Sequence, residues 1–188
     1  MKFTPTPLLD AWIIEPKVFQ DERGFFLESY LEETFAKQGI PNHFVQDNHA
    51  RSEKVGVLRG LHFQTAPSAQ AKLVRVIQGA VYDAIVDLRQ GSPTYGQSFG
   101  VELTAQNFKM IFVPSGFAHG YCTMTPGSEV VYKVDARYAP PQEGGIIWND
   151  PDLQLAWPTQ NPILSDKDQK LPRFRDFSSP FVYEPKTH

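Results

Sequence analysis

Apolar residues along this chain occur in short runs that are separated by glycine, proline, asparagine and aspartate. Such runs between turn-forming residues predict β-strands, and the first of them, residues 8–20, is interrupted by Pro16. Further strands are predicted at 25–28, 44–48, 57–64, 72–77, 81–88, 99–103, 110–113, 120–124 and 130–134. Short strands at this spacing indicate an all-β antiparallel sandwich or barrel with only a few short helices.

One segment between the strands has a helical pattern. Ser29 and Glu32 have the spacing of a capping box, in which the serine is the N-cap and the glutamate follows three residues later. Leu31 and Phe35 are four residues apart, so they would share one face of this helix. Gly39 predicts the C-terminal end of the helix.

The length of 188 residues predicts a single domain with a sizeable core. The tail from Pro151 is rich in proline and aspartate. Residues 150–188 are therefore expected to form a C-terminal extension with at most one short helix, near 165–169. An aromatic content of 13% suits a β-rich chain.

The net charge of −3 leaves no overall basic field that would attract nucleic acid or an anionic membrane, so neither is expected as a partner. The single cysteine, Cys122, excludes an intrachain disulfide and a zinc site built from cysteines. The first residues lack the apolar run of a signal peptide, and no window approaches the length of a membrane span. These features predict a cytoplasmic protein.

Candidate chemistry is concentrated in the predicted strand at 57–64, where Arg59, His62 and Gln64 interrupt an apolar run. Alternation along a strand would place Arg59 and His62 on opposite faces. Gly60 lies between them, and a glycine bulge would bring both onto one face, where they could handle an anion and move a proton. The alternative is a hydrogen-bonded core histidine beside a surface arginine.

Metal binding is a second possibility. The segment 114–119 has the Pro-x-Gly-x-x-His form of the second cupin motif and supplies His119. Metal-binding cupins carry His-x-His in the partner motif, whereas this chain has His62-Phe63-Gln64. A catalytic metal usually has three protein ligands, and only two histidines are well placed. The pattern favours a cupin-type fold without a bound metal over a metalloenzyme.

Cations and buried ionisable groups supply the remaining candidates. Arginine suits phosphate oxygens because of its planar donor fork, although a solvated surface charge is the alternative for each cation. Asp83 and Tyr132 lie in apolar strands, where burial shifts pKa values, and Asp87 shares the face of Asp83. A structural hydrogen bond is the alternative for these three residues. The candidate phosphate ligands are Arg23, Arg59, Lys72, Arg75 and Lys167.

Taken together, a series of motifs in this chain resembles the dTDP-4-dehydrorhamnose 3,5-epimerase family, a cupin-fold group of nucleotide-sugar metabolism. Each motif is weak alone, but their order from about residue 9 to residue 168 is specific. The matching segments are 21–28, 46–48, 59–64, 72–75, 86–89, 91–94, 114–120, 132–133, 148–151 and 164–168. The resemblance implies a cupin-type antiparallel β jelly roll and favours the functional interpretation of His62.

The resemblance also implies a reaction. The substrate would be a dTDP-linked 4-keto-6-deoxyhexose, whose hydrogens beside the ketone are acidic. Because the ketone is already present, no redox cofactor is needed, and no cofactor is expected. His62 would be the base and Asp168 its hydrogen-bond partner, while Tyr132 would be the acid on the opposite face. Lys72 would stabilise the enolate oxygen.

The same resemblance assigns substrate contacts. His119 and Asp83 would orient the sugar, and Tyr138 would stack on the thymine. Arg23 and Arg59 would hold the diphosphate with support from Lys167. The remaining residues implied to bind the base, the sugar or the nucleotide are Phe26, Glu28, Gln46, Asn48 and Glu143.

In this family the N-terminal strand crosses to a second subunit, which implies a homodimer whose sites are shared between chains. Arg23 and Glu28 would then serve the neighbour's site. Three alternatives stay open at this stage: an enzyme that epimerises only one carbon or another dTDP-ketosugar, a metal-dependent cupin oxygenase, and a sugar-nucleotide-binding protein without activity.

Overall fold

A computed structural model describes residues 1–185 as two antiparallel β-sheets and one separate hairpin. In chain order the strands are β1 Lys2–Pro5, β2 Trp12–Glu15, β3 Val18–Asp21, β4 Gly24–Leu27, β5 Gln46–Ser52, β6 Leu58–Gln64, β7 Lys72–Gln78, β8 Ala80–Asp87, β9 Ser98–Thr104, β10 Met110–Val113, β11 Phe117–Thr123, β12 Ser128–Val134 and β13 Glu143–Gly145. One α-helix, α1, spans Glu32–Lys37.

The first sheet has the strand order β1-β2-β10-β7-β12-β5, and the second has the order β13-β6-β11-β8-β9. Neighbours in both sheets are not sequence neighbours for the most part, so the chain crosses repeatedly between them. This topology confirms the predicted all-β, cupin-type jelly roll. The break that Pro16 predicted separates β2 from β3.

The central core lies between the inner faces of the two sheets. Val74 and Val76 of β7 face Val81 and Ile85 of β8, together with Phe117 of β11. All five side chains are nearly or fully buried. Burial of an aliphatic side chain of this size contributes about 1.5–3 kcal/mol, so this layer is the main source of stability around the strands that carry the polar candidates.

The outer face of the first sheet is covered by α1 and the segment after it. Phe35 and Ile40 pack against Met110 and neighbouring residues of β10 and β2. The predicted capping box is wrong, because the helix begins at Glu32 with Leu31 as an uncapped N-cap. Phe35 is buried in the cluster that this helix forms with β2 and β10, and Glu32 lies 3.1 Å from Nδ1 of His43 in the segment after the helix.

Gly39 follows the helix with a φ of +78°, which confirms the prediction that the helix ends at this glycine.

The outer face of the second sheet is covered by the C-terminal segment, which buries Leu153, Trp157 and Phe181 against β6, β8 and β11. The prediction of at most one short helix, near 165–169, is wrong in number, because a second helical turn follows the first. The segment contains two 3-10 helices, Asp168–Lys170 and Phe174–Asp176. No helix within residues 1–185 is long and apolar enough to cross a membrane.

The hairpin of β3 and β4 projects from the two sheets and belongs to neither. Its aromatic side chains are exposed, and Phe26 retains 70% of its accessible surface. Large exposed aromatic residues on a projecting hairpin mark a surface suited to contact with another molecule.

A buried ionic network closes the end of β8. Asp87 accepts hydrogen bonds from the backbone and guanidinium of Arg89 and from the hydroxyls of Ser92 and Thr94, at 2.6–3.0 Å. Arg89 also contacts Asp10 at 2.8 Å. Burial raises the pKa of Asp87, but these hydrogen bonds outweigh burial and lower it. Asp87 is therefore a structural residue and not part of a binding site.

We predict that Asp87→Asn lowers the free energy of unfolding by about 2–3 kcal/mol, because it leaves Arg89 buried with less compensating charge. Urea unfolding at neutral pH measures the loss. Glu33→Gln, which breaks the exposed Glu33–Lys37 pair, is the matched control and should leave stability unchanged. In the wild type, ionised Asp87 contributes its full stabilisation of the fold at pH values above its unfolded-state pKa of about 3.9. This stabilisation is lost as the pH falls through the lower pKa that Asp87 has in the folded state. Equal stability of both variants would contradict this assignment.

Candidate active site

A bulge in β6 brings two of the sequence candidates onto one face. Across the β6–β11 pair, His62 lies opposite His119 and Arg59 opposite Tyr121, so three steps along β6 match two along β11. Gly60 permits this offset: its φ is +130°, and a Cβ there would lie 2.6 Å from the Cα of Gly120. The bulge predicted from Gly60 is confirmed, and Arg59 and His62 line the same cavity.

His62 forms a dyad with Asp168. His62 Nε2–H donates to Asp168 Oδ1 over 2.6 Å, while the Gly60 N–H lies 3.4 Å from Asp168 Oδ2. This bond leaves Nδ1 of His62 as the basic nitrogen. Burial raises the pKa of Asp168, but the bonds from His62 and Gly60 outweigh it and keep the pKa below its usual value. Asp168 is therefore an anion that orients the imidazole.

The opposite wall of the cavity comes from the first sheet and carries Lys72 of β7 and Tyr132 of β12. Burial lowers the pKa of Lys72 to about 8, against the opposing charges of Asp83 and Glu143. Burial also raises the pKa of Tyr132, although Arg59 opposes that shift. At neutral pH the phenol is thus a protonated donor and the lysine remains largely cationic.

A second histidine–carboxylate pair lies deeper. His119 Nε2–H donates to Asp83 Oδ2 over 2.9 Å, and both residues are buried. The other oxygen of Asp83 and the hydroxyl of Tyr121 have no hydrogen-bond partner among residues 1–185. Tyr121 lines the inner cavity and therefore brings an unused donor to it, while Asp83, its partner across the β11–β8 pair, keeps an unused acceptor beneath the cavity.

The inner cavity, of about 430 Å³, adjoins an outer one of about 330 Å³, and His62, Lys72 and Tyr132 line both. The outer cavity holds Tyr138, whose hydroxyl donates to Glu143 over 3.0 Å. Lys167 contacts the other oxygen of Glu143 at 2.5 Å.

Two amides complete this outer wall. Gln46 accepts a hydrogen bond from the Tyr138 N–H at 3.1 Å and donates one to Asn48 over 2.9 Å. These amides hold the residues around the mouth of the cavity in a defined arrangement. The cleft as a whole combines cations, amide groups and an exposed tyrosine ring, which suits an anionic ligand with an aromatic part.

Three sequence candidates lie outside the cleft of their own chain. Arg23 and Phe26 belong to the β3–β4 hairpin and line a separate depression on it, and the neighbouring Glu28 is exposed. The guanidinium of Arg23 forms an ion pair with Asp21. Contact of these residues with a ligand in a cleft would require the cleft of a second chain.

Gln64, which replaces the second histidine of the metal-binding pattern, has a structural role. Its amide donates to the carbonyls of Ser68 and Arg137 and accepts from the N–H of Ala139, at 2.7–3.2 Å. Within residues 1–185 no group of three or more His, Cys, Asp or Glu side chains is arranged to hold a metal ion.

The buried tyrosine of the cleft was not predicted from the sequence. Tyr121 lines the inner cavity beside His119, and the two are two positions apart along β11, with Gly120 between them. Strand alternation places residues two apart on the same face, so the position of His119 contained the signal that identifies Tyr121.

Comparison with known proteins gives consistent similarities. The sequence matches the dTDP-4-dehydrorhamnose 3,5-epimerase family over residues 5–176. It is 49% identical to the dTDP-4-dehydrorhamnose 3,5-epimerase of Shigella flexneri over 94% of this chain and 97% of that protein.

Two solved structures are similar to the whole fold. One is a dTDP-4-dehydrorhamnose 3,5-epimerase from Bacillus anthracis with TDP and PPi bound, with a TM-score of 0.89 and 49% identity, covering 92% of this chain and 98% of the other. The second is a dTDP-6-deoxy-D-glucose-3,5-epimerase from Legionella pneumophila in complex with dTDP-4-keto-L-rhamnose. It has a TM-score of 0.93 and 40% identity, covering 98% of this chain and 99% of the other.

Proposed function

The chain belongs to the dTDP-4-dehydrorhamnose 3,5-epimerase family, and on that premise we propose that it is an isomerase that inverts C3 and C5 of a dTDP-linked 4-keto-6-deoxyhexose. The product would be dTDP-4-dehydro-L-rhamnose, a precursor of dTDP-L-rhamnose. The observation that carries the proposal is the placement of the His62–Asp168 dyad and Tyr132 on opposite walls of one cleft, one on each sheet.

The reaction needs a base and an acid on opposite faces of the sugar. The ketone acidifies the hydrogens on both neighbouring carbons, because the resulting anion is delocalised onto oxygen as an enolate. His62 Nδ1 removes the proton, and Asp168 stabilises the imidazolium that forms. Tyr132 then returns a proton to the other face.

Lys72 lines the same cavity as His62 and Tyr132, and its positive charge stabilises the enolate oxygen. Its pKa of about 8 keeps this charge available at neutral pH. His119 and Asp83 support the polar floor on which the sugar rests.

The nucleotide half of the substrate occupies the outer cavity. Tyr138 stacks on the thymine with its exposed ring, while Gln46, Asn48 and Glu143 bond the base and the sugar. Arg59 and Lys167 bind the diphosphate from within the chain.

A homodimer completes the site. Arg23, Phe26 and Glu28 lie on or beside the projecting hairpin and away from the cleft of their own chain. In the dimer this hairpin would reach the partner's cleft, where Arg23 binds the diphosphate. Release of the Asp21–Arg23 ion pair would free the guanidinium for that contact.

We predict that the wild type incorporates deuterium from solvent at C3 and C5, and that His62→Asn lowers exchange at both carbons by at least about 10²-fold while keeping dTDP binding. Asp168→Asn should lower exchange strongly as well, because the imidazole loses its orienting anion. NMR in deuterated water measures exchange. His43→Asn, on an exposed loop histidine, is the control.

The same assay separates the alternatives. Exchange at only one carbon would indicate a mono-epimerase, and dTDP-sugar binding without any exchange would indicate a binding protein. Activity that is lost on chelation and restored by a transition metal would indicate metal-dependent chemistry. Wild-type exchange in His62→Asn would remove His62 from the mechanism.

We predict that Tyr132→Phe retains exchange at C3 or C5 but loses most net inversion. His62 can still remove a proton and return one to the same face, whereas the opposite face has lost its donor. The ring continues to pack, so the fold is preserved. Deuterium incorporation and product formation are measured on one sample, and a fall of both by the same factor would show that another group is the acid.

We predict that mixing inactive Arg23→Ala with inactive His62→Asn restores activity. If Arg23 serves the partner's cleft, some heterodimers contain one site with both residues intact. Subunit exchange is verified by differential mass tags, and each variant incubated alone is the control. No recovery after confirmed exchange would place Arg23 in its own chain's site or outside any site.

A further inference from the structure

The hydroxyl of Tyr121 is the one buried donor in the inner cavity that the proposed mechanism leaves unused. The side chain is only 5% exposed, and its ring packs into the core between the sheets. Its hydroxyl has no hydrogen-bond partner within residues 1–185. A buried hydroxyl without a partner is energetically unfavourable, so a bound group that accepts its hydrogen bond would remove this cost.

The position of Tyr121 indicates where that group lies. Tyr121 faces Asp83 directly across the β11–β8 pair and Arg59 across the β11–β6 pair. It lines the inner cavity together with His62 and Tyr132, the two proposed proton-transfer residues. A ligand atom that reaches Tyr121 would therefore belong to the reacting sugar and not to the nucleotide.

The protonation state of Tyr121 makes it a donor. Burial raises its pKa to about 12, against the opposing charge of Arg59. The phenol stays neutral at physiological pH and offers its proton to an acceptor.

The proposed mechanism already assigns the ketone oxygen to Lys72, which lines the same cavity. The ring hydroxyls of the sugar are the acceptors that remain for Tyr121. A hydroxyl oxygen has lone pairs that can accept a hydrogen bond from the phenol.

We propose that Tyr121 is a further substrate-binding residue, whose hydroxyl donates a hydrogen bond to a ring hydroxyl of the sugar. This inference rests on the proposed function. A 4-keto-6-deoxyhexose that is linked through C1 retains hydroxyls at C2 and C3 only, so one of these two is the acceptor. Tyr121 would therefore increase the affinity for a dTDP-sugar but not the affinity for dTDP alone.

Tyr121→Phe tests the proposal, because it removes one oxygen and keeps the packed ring. Calorimetric titration with dTDP-glucose should show an affinity about tenfold lower than the wild type, which corresponds to one buried neutral hydrogen bond. Affinity for dTDP should stay within about twofold. Tyr82→Phe is the matched control, since Tyr82 lies on β8 but packs against the outer core of the second sheet; both affinities should be unchanged.

The 2-deoxy and 3-deoxy analogues of dTDP-glucose, titrated against wild type and Tyr121→Phe, identify the acceptor. The tenfold difference should vanish for one analogue and persist for the other. Equal binding of dTDP-glucose by wild type and Tyr121→Phe, or a difference that persists with both analogues, overturns the proposal. An ordered water that satisfies Tyr121 would produce the first of these results.

Failure of the inference is distinguishable from failure of the proposed function. Wild-type solvent exchange at C3 and C5, together with formation of the inverted product, establishes the epimerase independently of Tyr121. If that exchange occurs and Tyr121→Phe binds dTDP-glucose normally, only the role of Tyr121 is wrong.

Discussion

Arg59 and His62 reach the same cleft because two glycines meet across the β6–β11 pair. A Cβ on Gly60 would lie 2.6 Å from Gly120, and one on Gly120 would lie 2.7 Å from the Arg59 carbonyl. Either side chain would force the strands apart at the bulge. Without the bulge, Arg59 and His62 would face opposite sides of the sheet, and the N–H of Gly60 could not approach Asp168.

The apolar layer beneath the cleft shapes its chemistry. Lys72 shares β7 with the core residue Val74, and Tyr132 shares β12 with the core residue Val130. Both polar residues are therefore partly withdrawn from water. Burial disfavours the charged form of each group, which lowers the pKa of the lysine and raises that of the phenol. One physical cause thus yields a protonated donor and a weakened cation in the same cavity.

The sequence predicted elements wherever apolar alternation was strong. Strand β7 and strand β8 appear close to their predicted bounds because their inward residues form the core. Strand β5 was placed too early, since its residues Gln46–Ser52 are almost all polar and it pairs only with β12 at the sheet edge. The capping box failed because packing of Phe35 outweighed a local preference.

The site was predictable to a different extent. Gly60 gave a physical reason for the bulge, but Asp168 is 106 residues from His62, and only the family resemblance connected them. Tyr121 could have been found from its spacing to His119. Whether Arg23 reaches a cleft depends on a second chain, which patterning within one chain does not describe.

The two histidine–carboxylate pairs differ in a way that separates their proposed roles. The side chain of His62 is 27% exposed to the cleft, whereas that of His119 is 7% exposed. A base that removes a carbon-bound proton must present a free nitrogen to the substrate. Of these two histidines, His62 is the one whose Nε2 is held by a carboxylate while the rest of the ring is open to the cleft. His119 is held between the sheets beside an aspartate whose second oxygen is still unused. Its position suits orientation of the sugar, so in the proposed mechanism the wall with His62 performs the chemistry and the side with His119 recognises the sugar.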